Sequence, residues 1–335
     1  MFAERLVCSW IGAFGLAAGA FCQTYVQFSV IESTSTGPIS INTMGEIAGT
    51  YFDANNHMHG FVRSAEGGTI TSFDPPGSLG TSASSINNIG AIAGFYIYAT
   101  SPMVFTHGYI RDPQGNFTTF DPPGSVATFA ESINAGGAVA GYYFDASDKI
   151  HGFVRREDGT LISFDVPGSV ARTVAVSINA EGAVTGYYQG VDNLLHGFVR
   201  RPGGEIISFD PPESMQTTPS SINDAGAITG FYRVVVNGQP VGFVRDPQGN
   251  FTSFHPEPNT LASSISNEGA ITGFAQSSDR SIVHGFVRSP EGMITLFVPP
   301  FCSANSTTPG GINDEGVITG SCGAGGRTVG WVRFP

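Results

Sequence analysis

The chain has 335 residues and a formal net charge of −12, with 27 acidic residues against 15 lysines and arginines. This balance argues against nucleic acid as a partner, because phosphate backbones require a basic surface. Glycine (45), proline (21) and phenylalanine (26) are abundant while only 13% of the residues are charged. Such a composition favours a folded chain with many tight turns and argues against a disordered one.

Residues 1–20 are predicted to be an export signal. Arg5 precedes an apolar run from Val7 to Phe21, which is too short to span a bilayer. The small residues 18–20 fit a cleavage pattern, so we expect cleavage after residue 20, with Cys22 as the second choice and an uncleaved anchor as the alternative. No second apolar stretch of spanning length follows. The mature chain, residues 21–335, is therefore expected to be secreted, extracellular or periplasmic, without a transmembrane segment.

A repeat of about 45 residues occupies the rest of the chain. The tripeptide Ser-Ile-Asn ends at Asn42 and recurs, with degenerate copies at Ser266 and Asn313, and a glycine stands three residues after each copy. An apolar segment, a variable loop and then His-Gly-Phe-Val-Arg or a variant follow. A short turn leads into a segment such as 117–121, and Pro-Pro-Gly-Ser closes the unit.

Each repeat predicts four short strands, A to D, which are rich in β-branched and aromatic residues and separated by turn residues. Asparagine and glycine suit the A–B turn, where glycine takes the left-handed backbone conformation. Proline cannot donate to a sheet, so Pro122-Pro123 ends strand D. Four strands in about 45 residues are typical of a β-propeller blade. A solenoid is the alternative, but it would show shorter coils or helices.

The two ends of the chain complement each other. Seven A–B–C sets are present but only six D strands follow them, and residues 25–30 carry aromatics at the positions that Leu161 and Phe164 hold in strand D. We therefore predict an all-β fold, a seven-bladed β-propeller with four antiparallel strands per blade, which residues 24–30 close by joining the last blade. The predicted blades are 38–75, 82–121, 129–166, 174–210, 218–255, 261–298, and 308–333 plus 24–30.

A His–Asp pair recurs on strands C and D. Placing Gly152 opposite Phe164 covers a bare glycine with a ring, and this register brings a histidine to an aspartate in four repeats. An acid–base dyad is the functional interpretation. We favour a structural hydrogen bond, because a catalytic site is built once and not four times around a ring. The pairs are His59 with Asp74, His107 with Asp121, His151 with Asp165, and His196 with Asp210.

Two further repeated positions allow more than one role. Seven arginines end the C strands. They are expected to pair with nearby carboxylates or turn carbonyls rather than to form a ring of cations for an anionic ligand. The serine and asparagine of Ser-Ile-Asn share one face of strand A. They are expected either to line a central channel or, as we prefer, to form inter-strand hydrogen bonds.

Cys302 and Cys322 remain in the body of the chain, whereas the other two cysteines lie in or at the edge of the signal. The strand directions place both on the same face beside one hairpin, with Cys322 opposite about Thr308. We therefore expect a disulfide between them, since an exported chain permits one. Two free thiols are the alternative.

Motifs for chemistry are weak. The segments 53–56 and 145–148 lack the spacing of a calcium loop, and we find no zinc spacing, phosphate loop or nucleophile elbow. We accordingly assign no catalytic residue, no metal ligand and no cofactor.

The linked Ser-Ile-Asn-x-x-Gly and His-Gly-Phe-Val-Arg blocks resemble the bacterial exported proteins of the HAF repeat family. The resemblance covers residues 24–335 and departs from the pattern at Val241, Ser266 and Val329 and in the cysteine-bearing last unit. It implies a bacterial source and export. It carries no functional residues over to this chain.

The B–C loops and D–A crossings should lie on one face and the A–B and C–D turns on the other. The B–C loops vary most, as in residues 98–106, 190–194 and 276–282, and variable loops on a rigid scaffold are where recognition usually occurs. We expect a monomeric scaffold that binds a glycan or a protein at the channel mouth on that face. The alternatives are a propeller-type lyase or hydrolase, for which His255 alone stands out of register, and a structural spacer.

Overall fold

The computed structural model describes residues 4–8, 22–100, 103–235 and 238–335. Every regular element in these ranges is a β-strand, as the sequence predicts. Accordingly, the described part of the chain holds no helix of the length and apolarity needed to cross a membrane.

The first sixteen strands in chain order are β1 (Glu4–Cys8), β2 (Cys22–Phe28), β3 (Ser35–Ile41), β4 (Ile47–Phe52), β5 (Met58–Arg63), β6 (Ile70–Phe73), β7 (Gly80–Ile86), β8 (Ile92–Thr100), β9 (Met103–Arg111), β10 (Phe117–Phe120), β11 (Ser125–Ile133), β12 (Val139–Asp145), β13 (Ile150–Arg155), β14 (Leu161–Phe164), β15 (Thr173–Ile178) and β16 (Val184–Gln189). The others are β17 (Leu195–Arg200), β18 (Ile206–Phe209), β19 (Gln216–Ile222), β20 (Ile228–Arg233), β21 (Val241–Arg245), β22 (Phe251–Phe254), β23 (Leu261–Ile265), β24 (Ile271–Gln276), β25 (Val283–Arg288), β26 (Ile294–Phe297), β27 (Thr308–Ile312), β28 (Ile318–Ala324) and β29 (Arg327–Arg333).

From β3 onward the strands form successive antiparallel units, and each unit pairs its strands in the order A, B, C, D. Unit 1 is β3 to β6, unit 2 is β7 to β10, and the pattern continues to unit 6, β23 to β26. Unit 7 contains β27, β28 and β29 and takes its fourth strand from the N-terminal end, as predicted. In that strand Tyr25 pairs with Arg333 and Phe28 with Gly330.

One feature at this edge differs from the prediction. The N-terminal strand β2 is not outermost, because β1 pairs along its free side, from Glu4 opposite Val26 to Cys8 opposite Cys22. Strand β1 lies within the segment that the sequence identifies as an export signal. Removal of that segment would leave β2 as the outer strand.

The A–B turns have the predicted backbone. In the first turn the N–H of Gly45 donates to the carbonyl of Asn42 over 3.0 Å, and Gly45 adopts a φ of 82°. A left-handed conformation of this kind costs glycine little because it lacks a Cβ atom. In unit 2 the B–C connection is shorter than the predicted loop of residues 98–106, because β8 extends to Thr100 and β9 begins at Met103.

The core lies between neighbouring units. Seven clusters of buried side chains form, one at each junction from units 1 and 2 to units 6 and 7, and the last joins unit 7 to unit 1. At the junction of units 2 and 3, Phe120 packs on Phe153 with ring centroids 5.9 Å apart. At the junction of units 7 and 1, Phe28 packs on Phe61 in the same way, 6.2 Å apart. This recurrence gives the molecule a propeller-like arrangement.

Bare glycines in strand C accept the phenylalanines of strand D. Gly152 stands opposite Phe164, and a Cβ atom added to Gly152 would lie 2.7 Å from the Cζ of that ring. The register predicted from the sequence is therefore the one that the structure has. Glycine is required here because any larger side chain would displace the ring.

A disulfide joins Cys302 to Cys322, with Cα atoms 5.6 Å apart. The strand pairing differs by one residue from the prediction that Cys322 lies opposite about Thr308, because Thr308 pairs with Ser321. A turn at residues 303–306, in which the N–H of Ser306 donates to the carbonyl of Ser303 over 3.2 Å, supplies the fold-back that the bridge needs.

Candidate functional site

The recurring histidines each contact an aspartate at the end of strand D. The imidazole Nδ1 atoms lie 2.6 to 3.0 Å from the carboxylate oxygens in all four repeats. The structure therefore brings together His59 with Asp74, His107 with Asp121, His151 with Asp165, and His196 with Asp210.

Three of these histidines face a second carboxylate, which the sequence analysis did not identify. In unit 4 the Nε2 atom of His196 lies 3.1 Å from Asp192 in the B–C loop, and in unit 3 His151 lies 3.3 Å from Asp145. Burial alone would lower the pKa of His196, but its hydrogen bonds to Asp210 and Asp192 outweigh burial and raise the pKa. An imidazole that holds its proton between two acids is a poor general base.

A tyrosine of strand B stacks on the histidine in each of the four repeats. Tyr51 and His59, for example, have ring centroids 5.0 Å apart at an interplanar angle of 24°. Tyr143 and His151 form the same stack, and Tyr96 with His107 and Tyr188 with His196 make the equivalent contact with the rings tilted by 36–39°. These repeated trios fix the outer strands to one another.

In unit 6 the aspartate position is occupied by Val298, and the structure supplies a replacement from elsewhere. Glu257, in the crossing that leaves unit 5, lies 2.9 Å from the Nδ1 atom of His284. The only sequence signal for this pair was a histidine without its usual partner. His255, which breaks the register of unit 5, is exposed.

The seven arginines make contacts that the sequence analysis only partly predicted. Six of them donate to a turn carbonyl, that of the next residue, over 3.2 to 3.4 Å, which is one of the two predicted contacts. The other predicted contact, an ion pair with a carboxylate, is formed by none of the seven within the described residues. Every guanidinium also covers a strand D phenylalanine of the preceding unit. The pairs are Arg63 on Phe28, Arg111 on Phe73, Arg155 on Phe120, Arg200 on Phe164, Arg245 on Phe209, Arg288 on Phe254 and Arg333 on Phe297.

The Ser-Ile-Asn asparagines link the innermost strands. Asn134 accepts the N–H of Ala138 in its own turn over 2.9 Å and donates from Nδ2 to the carbonyl of Asn179 in the next unit over 3.0 Å. The serine two residues earlier, on the same strand, acts similarly, since Ser132 Oγ accepts the N–H of Ile178 over 3.3 Å. The preferred interpretation, inter-strand hydrogen bonding, therefore describes both residue types.

A central channel runs between the A strands and contains a cavity of about 400 Å³. Its wall is shaped by a bulge in every A strand, where one residue is skipped in the pairing with strand B. The skipped residues line the cavity, and they are Ile39, Ser84, Glu131, Val176, Ser220, Ser263 and Gly310. Further serines of the same strands, including Ser40, Ser85, Ser132, Ser177, Ser221 and Ser264, complete a lining of hydroxyl groups.

Glu131 is the one ionisable side chain among the described residues that line this cavity. Burial raises its pKa from the ordinary value of 4.5 to about 7. Burial raises the pKa values of Tyr142 and Tyr187, in strand B of units 3 and 4, and the charge of Glu131 adds to the rise in both, while the charge of Arg172 opposes it at Tyr187. A carboxyl group and two phenols are thus grouped on one side of the channel.

Aromatic rings lie next to this group on the side of the B–C loops. Phe129 precedes Glu131 by two residues and stacks on Tyr142, its cross-strand partner, with ring centroids 4.9 Å apart. Phe95 packs against Phe129 at 4.8 Å and lines the cavity itself. The channel therefore presents an aromatic side and a hydroxyl-lined side around a single acid.

Other depressions are less distinctive. Gaps of about 390 and 450 Å³ separate units 3 and 4 and units 4 and 5 on the face of the A–B and C–D turns. The two gaps are lined by equivalent residues of consecutive units, so they follow from the repeat and are not specific to one place. Among residues 4–8, 22–100, 103–235 and 238–335 no cluster of three or more potential metal ligands is found.

No protein-family model and no curated protein matches the chain. Among solved structures it is similar to dipeptidyl peptidase 4 of Porphyromonas gingivalis, with 10% identity over 87% of this chain and 50% of that one and a TM-score of 0.51. It is also similar to TolB of Acinetobacter baumannii (13% identity, 82% and 76% coverage, TM-score 0.47) and to an Aleuria aurantia lectin solved with α-methyl-L-fucoside (14%, 80% and 95%, 0.45). Sequence identities of 10–14% support a similar fold and nothing more.

Proposed function

We propose that the chain is an exported, non-catalytic scaffold of the HAF-repeat type, a closed seven-bladed β-propeller that binds a ligand at the mouth of its central channel. The face concerned bears the B–C loops and the D–A crossings. A glycan is the ligand class we favour, and a protein segment is the alternative. The observation that carries the proposal is the asymmetric channel, in which one acid and neighbouring aromatic rings break an otherwise uncharged lining made mostly of serines.

Aromatic faces beside hydroxyl and carboxyl groups suit a sugar, which presents both apolar C–H surfaces and hydroxyl groups. Small-molecule sites generally combine apolar and aromatic walls with a few polar groups that fix orientation. Contacts between the last unit and the first support this role, because the hydrogen bonds, the cation–π contacts and the core clusters that join consecutive units also join these two. A closed ring holds its loops rigidly around one axis.

An enzymatic role is the second candidate, since a carboxyl group with a pKa near 7 is suited to proton transfer. A glycosidase that uses two carboxyl groups would need a second acid roughly 5–10 Å away. Glu131 is alone among the described residues that line the cavity. This favours binding over hydrolysis. A purely structural spacer would bind nothing at the channel.

A glycan array probed with the mature protein, followed by calorimetry on the best hit, tests the proposal. We expect that exchanging the B–C loops of units 4 and 6, residues 190–194 and 277–282, abolishes binding without lowering the melting temperature. The matched control exchanges two C–D turns of equal length on the opposite face, residues 156–160 and 289–293, and should bind normally. If the variant with exchanged B–C loops binds the glycan normally, or if the variant with exchanged C–D turns loses binding, the site lies elsewhere.

A further inference from the structure

Glu131 occupies a position that no other unit fills with a charge. It is the bulge residue of strand A in unit 3, and its counterparts are isoleucine, serine, valine and glycine. The bulge directs this residue toward the channel, since the residues on either side of it pair with strand B. The carboxyl group is therefore an addition to the repeat and not a product of it.

Nothing in the described structure compensates this acid. Glu131 takes part in no hydrogen bond or ion pair among the described side chains, and the ionisable groups that respond to its charge are the phenols of Tyr142 and Tyr187. Glu131 is half-buried, and a carboxylate that is partly withdrawn from water without a partner is unfavourable. The usual remedies are protonation or a nearby cation. Burial moves its pKa toward protonation, to about 7.

The basic side chains lie outside the wall of the channel cavity, and the one whose charge acts near Glu131 is Arg172, which is exposed and opposes the rise in the pKa of Tyr187. The seven strand C arginines cover phenylalanine rings in the junctions between units, and Lys149 lies 3.6 Å from Asp165 near the outer strands. No arginine or lysine lines the channel cavity among the residues that the structure describes. Within the cavity itself, a cation beside Glu131 would therefore be part of a bound ligand.

The surroundings of Glu131 restrict the nature of that ligand. Ser84, Ser220 and Ser263 face the cavity without a hydrogen-bond partner among the described residues, and each hydroxyl can donate and accept. Phe95 provides an apolar wall, and the volume of about 400 Å³ suits one small molecule. A net charge of −12 also favours the approach of cations.

We propose that the channel binds one amino sugar, with its ammonium group beside the carboxylate of Glu131 and its hydroxyl groups on the channel serines. This inference rests on the proposed function and specifies its glycan class: a sugar unit that carries a free amine, alone or at the end of a glycan. The neutral parent sugar and the N-acetylated sugar lack the cation and are expected to bind more weakly.

Calorimetry with glucosamine, glucose and N-acetylglucosamine tests the proposal, because these probes differ mainly in charge at one position. At pH 7 we expect glucosamine to bind wild-type protein at least tenfold more tightly than the other two. Binding should release protons, measurable as a dependence of the heat on the buffer, since a nearby cation lowers the pKa of Glu131. Glu131→Gln should abolish both the tenfold preference and the proton release.

The control variant is Glu157→Gln, which removes an exposed carboxylate on a C–D turn of the same unit. It should retain the preference for glucosamine. Equal binding of all three sugars, binding of none of them, or a preference that survives Glu131→Gln would overturn the proposal. If one of these results is found and the Glu131→Gln variant still binds the glycan identified on the array, only the amino-sugar assignment is rejected. The proposed function would then stand.

Discussion

Asn313 in the last unit donates a hydrogen bond from Nδ2 to the backbone carbonyl of Asn42 in the first, over 3.1 Å. The two residues are 271 positions apart in the chain, yet the bond has the same form as those between consecutive units. Asn42, Asn87, Asn134, Asn179 and Asn223 each donate to the unit that follows them. Both partners are buried, so each link satisfies groups that cannot reach water.

This series is interrupted once, at Ser266, where the hydrogen bond to the next unit is missing. Restoring that bond by substitution tests the role of the asparagines. Ser266 retains the bond to its own turn through Oγ but cannot reach the carbonyl of Asn313. We expect Ser266→Asn to raise the free energy of unfolding by about 1 kcal/mol, and the reverse change Asn223→Ser to lower it by a similar amount. Denaturant titration of both variants measures this, and a destabilising Ser266→Asn would contradict the role we give to the asparagines.

The N-terminal strand should be as important to unit 7 as any other D strand is to its own unit. Phe28 is buried between Phe61 and the guanidinium of Arg63. Phe28→Ala is expected to cost about 3–5 kcal/mol, as for other buried phenylalanines, and removal of residues 21–30 should expose the edge of unit 7 and cause aggregation. Phe120→Ala, at the matching place between units 2 and 3, is the control. If Phe28→Ala lowers the free energy of unfolding much less than Phe120→Ala does, the N-terminal strand contributes less to its junction than the other D strands do.

Much of the fold could be predicted from the sequence because its determinants are local. The Asn-x-x-Gly turn, the glycine opposite a phenylalanine and the position of Pro-Pro each specify geometry within one repeat. Glu257 and the stacking of arginine on phenylalanine were missed because they cross from one unit to the next. Glu131 was also missed, since only the bulge turns it into the channel. Its one sequence signal was a charge at a position that is uncharged in the other repeats.

The stability of the protein should fall as the pH rises through the titration of Glu131. Its pKa is about 7 in the folded state against 4.5 ordinarily, so the folded state binds the extra proton between these values. The favourable contribution is complete below pH 4.5 and is lost by the time the pH exceeds 7. A difference of this size sets an upper limit of about 3 kcal/mol on the contribution, because Glu131 is only half-buried and solvent in the channel screens its charge.

Glu131→Gln removes this dependence because it cannot ionise. We expect the variant to be more stable than the wild type above pH 7 and nearly equal to it below pH 5, as measured by denaturant unfolding across the range. Glu157→Gln, on an exposed turn, should follow the wild-type curve. Parallel curves for wild type and Glu131→Gln would show that the carboxyl group is fully solvated.

The disulfide should strengthen unit 7, which is assembled from both ends of the chain. It spans 20 residues and is worth about 3 kcal/mol in the chain-entropy treatment. Replacing Cys302 and Cys322 together by serine should lower the free energy of unfolding by that amount, and reductant should affect the wild type but not the variant. Intact mass of the unreduced protein provides the chemical check, because free thiols at both positions are incompatible with the bridge.

The arginines that end the C strands should not be replaceable by lysine, although the charge is kept. The guanidinium carbon of Arg111 lies 4.8 Å from the centroid of Phe73, and its Nη1 atom donates to the carbonyl of Asp112 over 3.3 Å. Lysine lacks the planar group that covers a ring while donating sideways. We expect Arg111→Lys to cost about 1 kcal/mol of unfolding free energy. Arg201→Lys, which alters only an exposed pair with Glu205, should have little effect in the same denaturant titration. Equal stability of the two variants would mean that charge alone, and not the stacked geometry, is what the repeat requires.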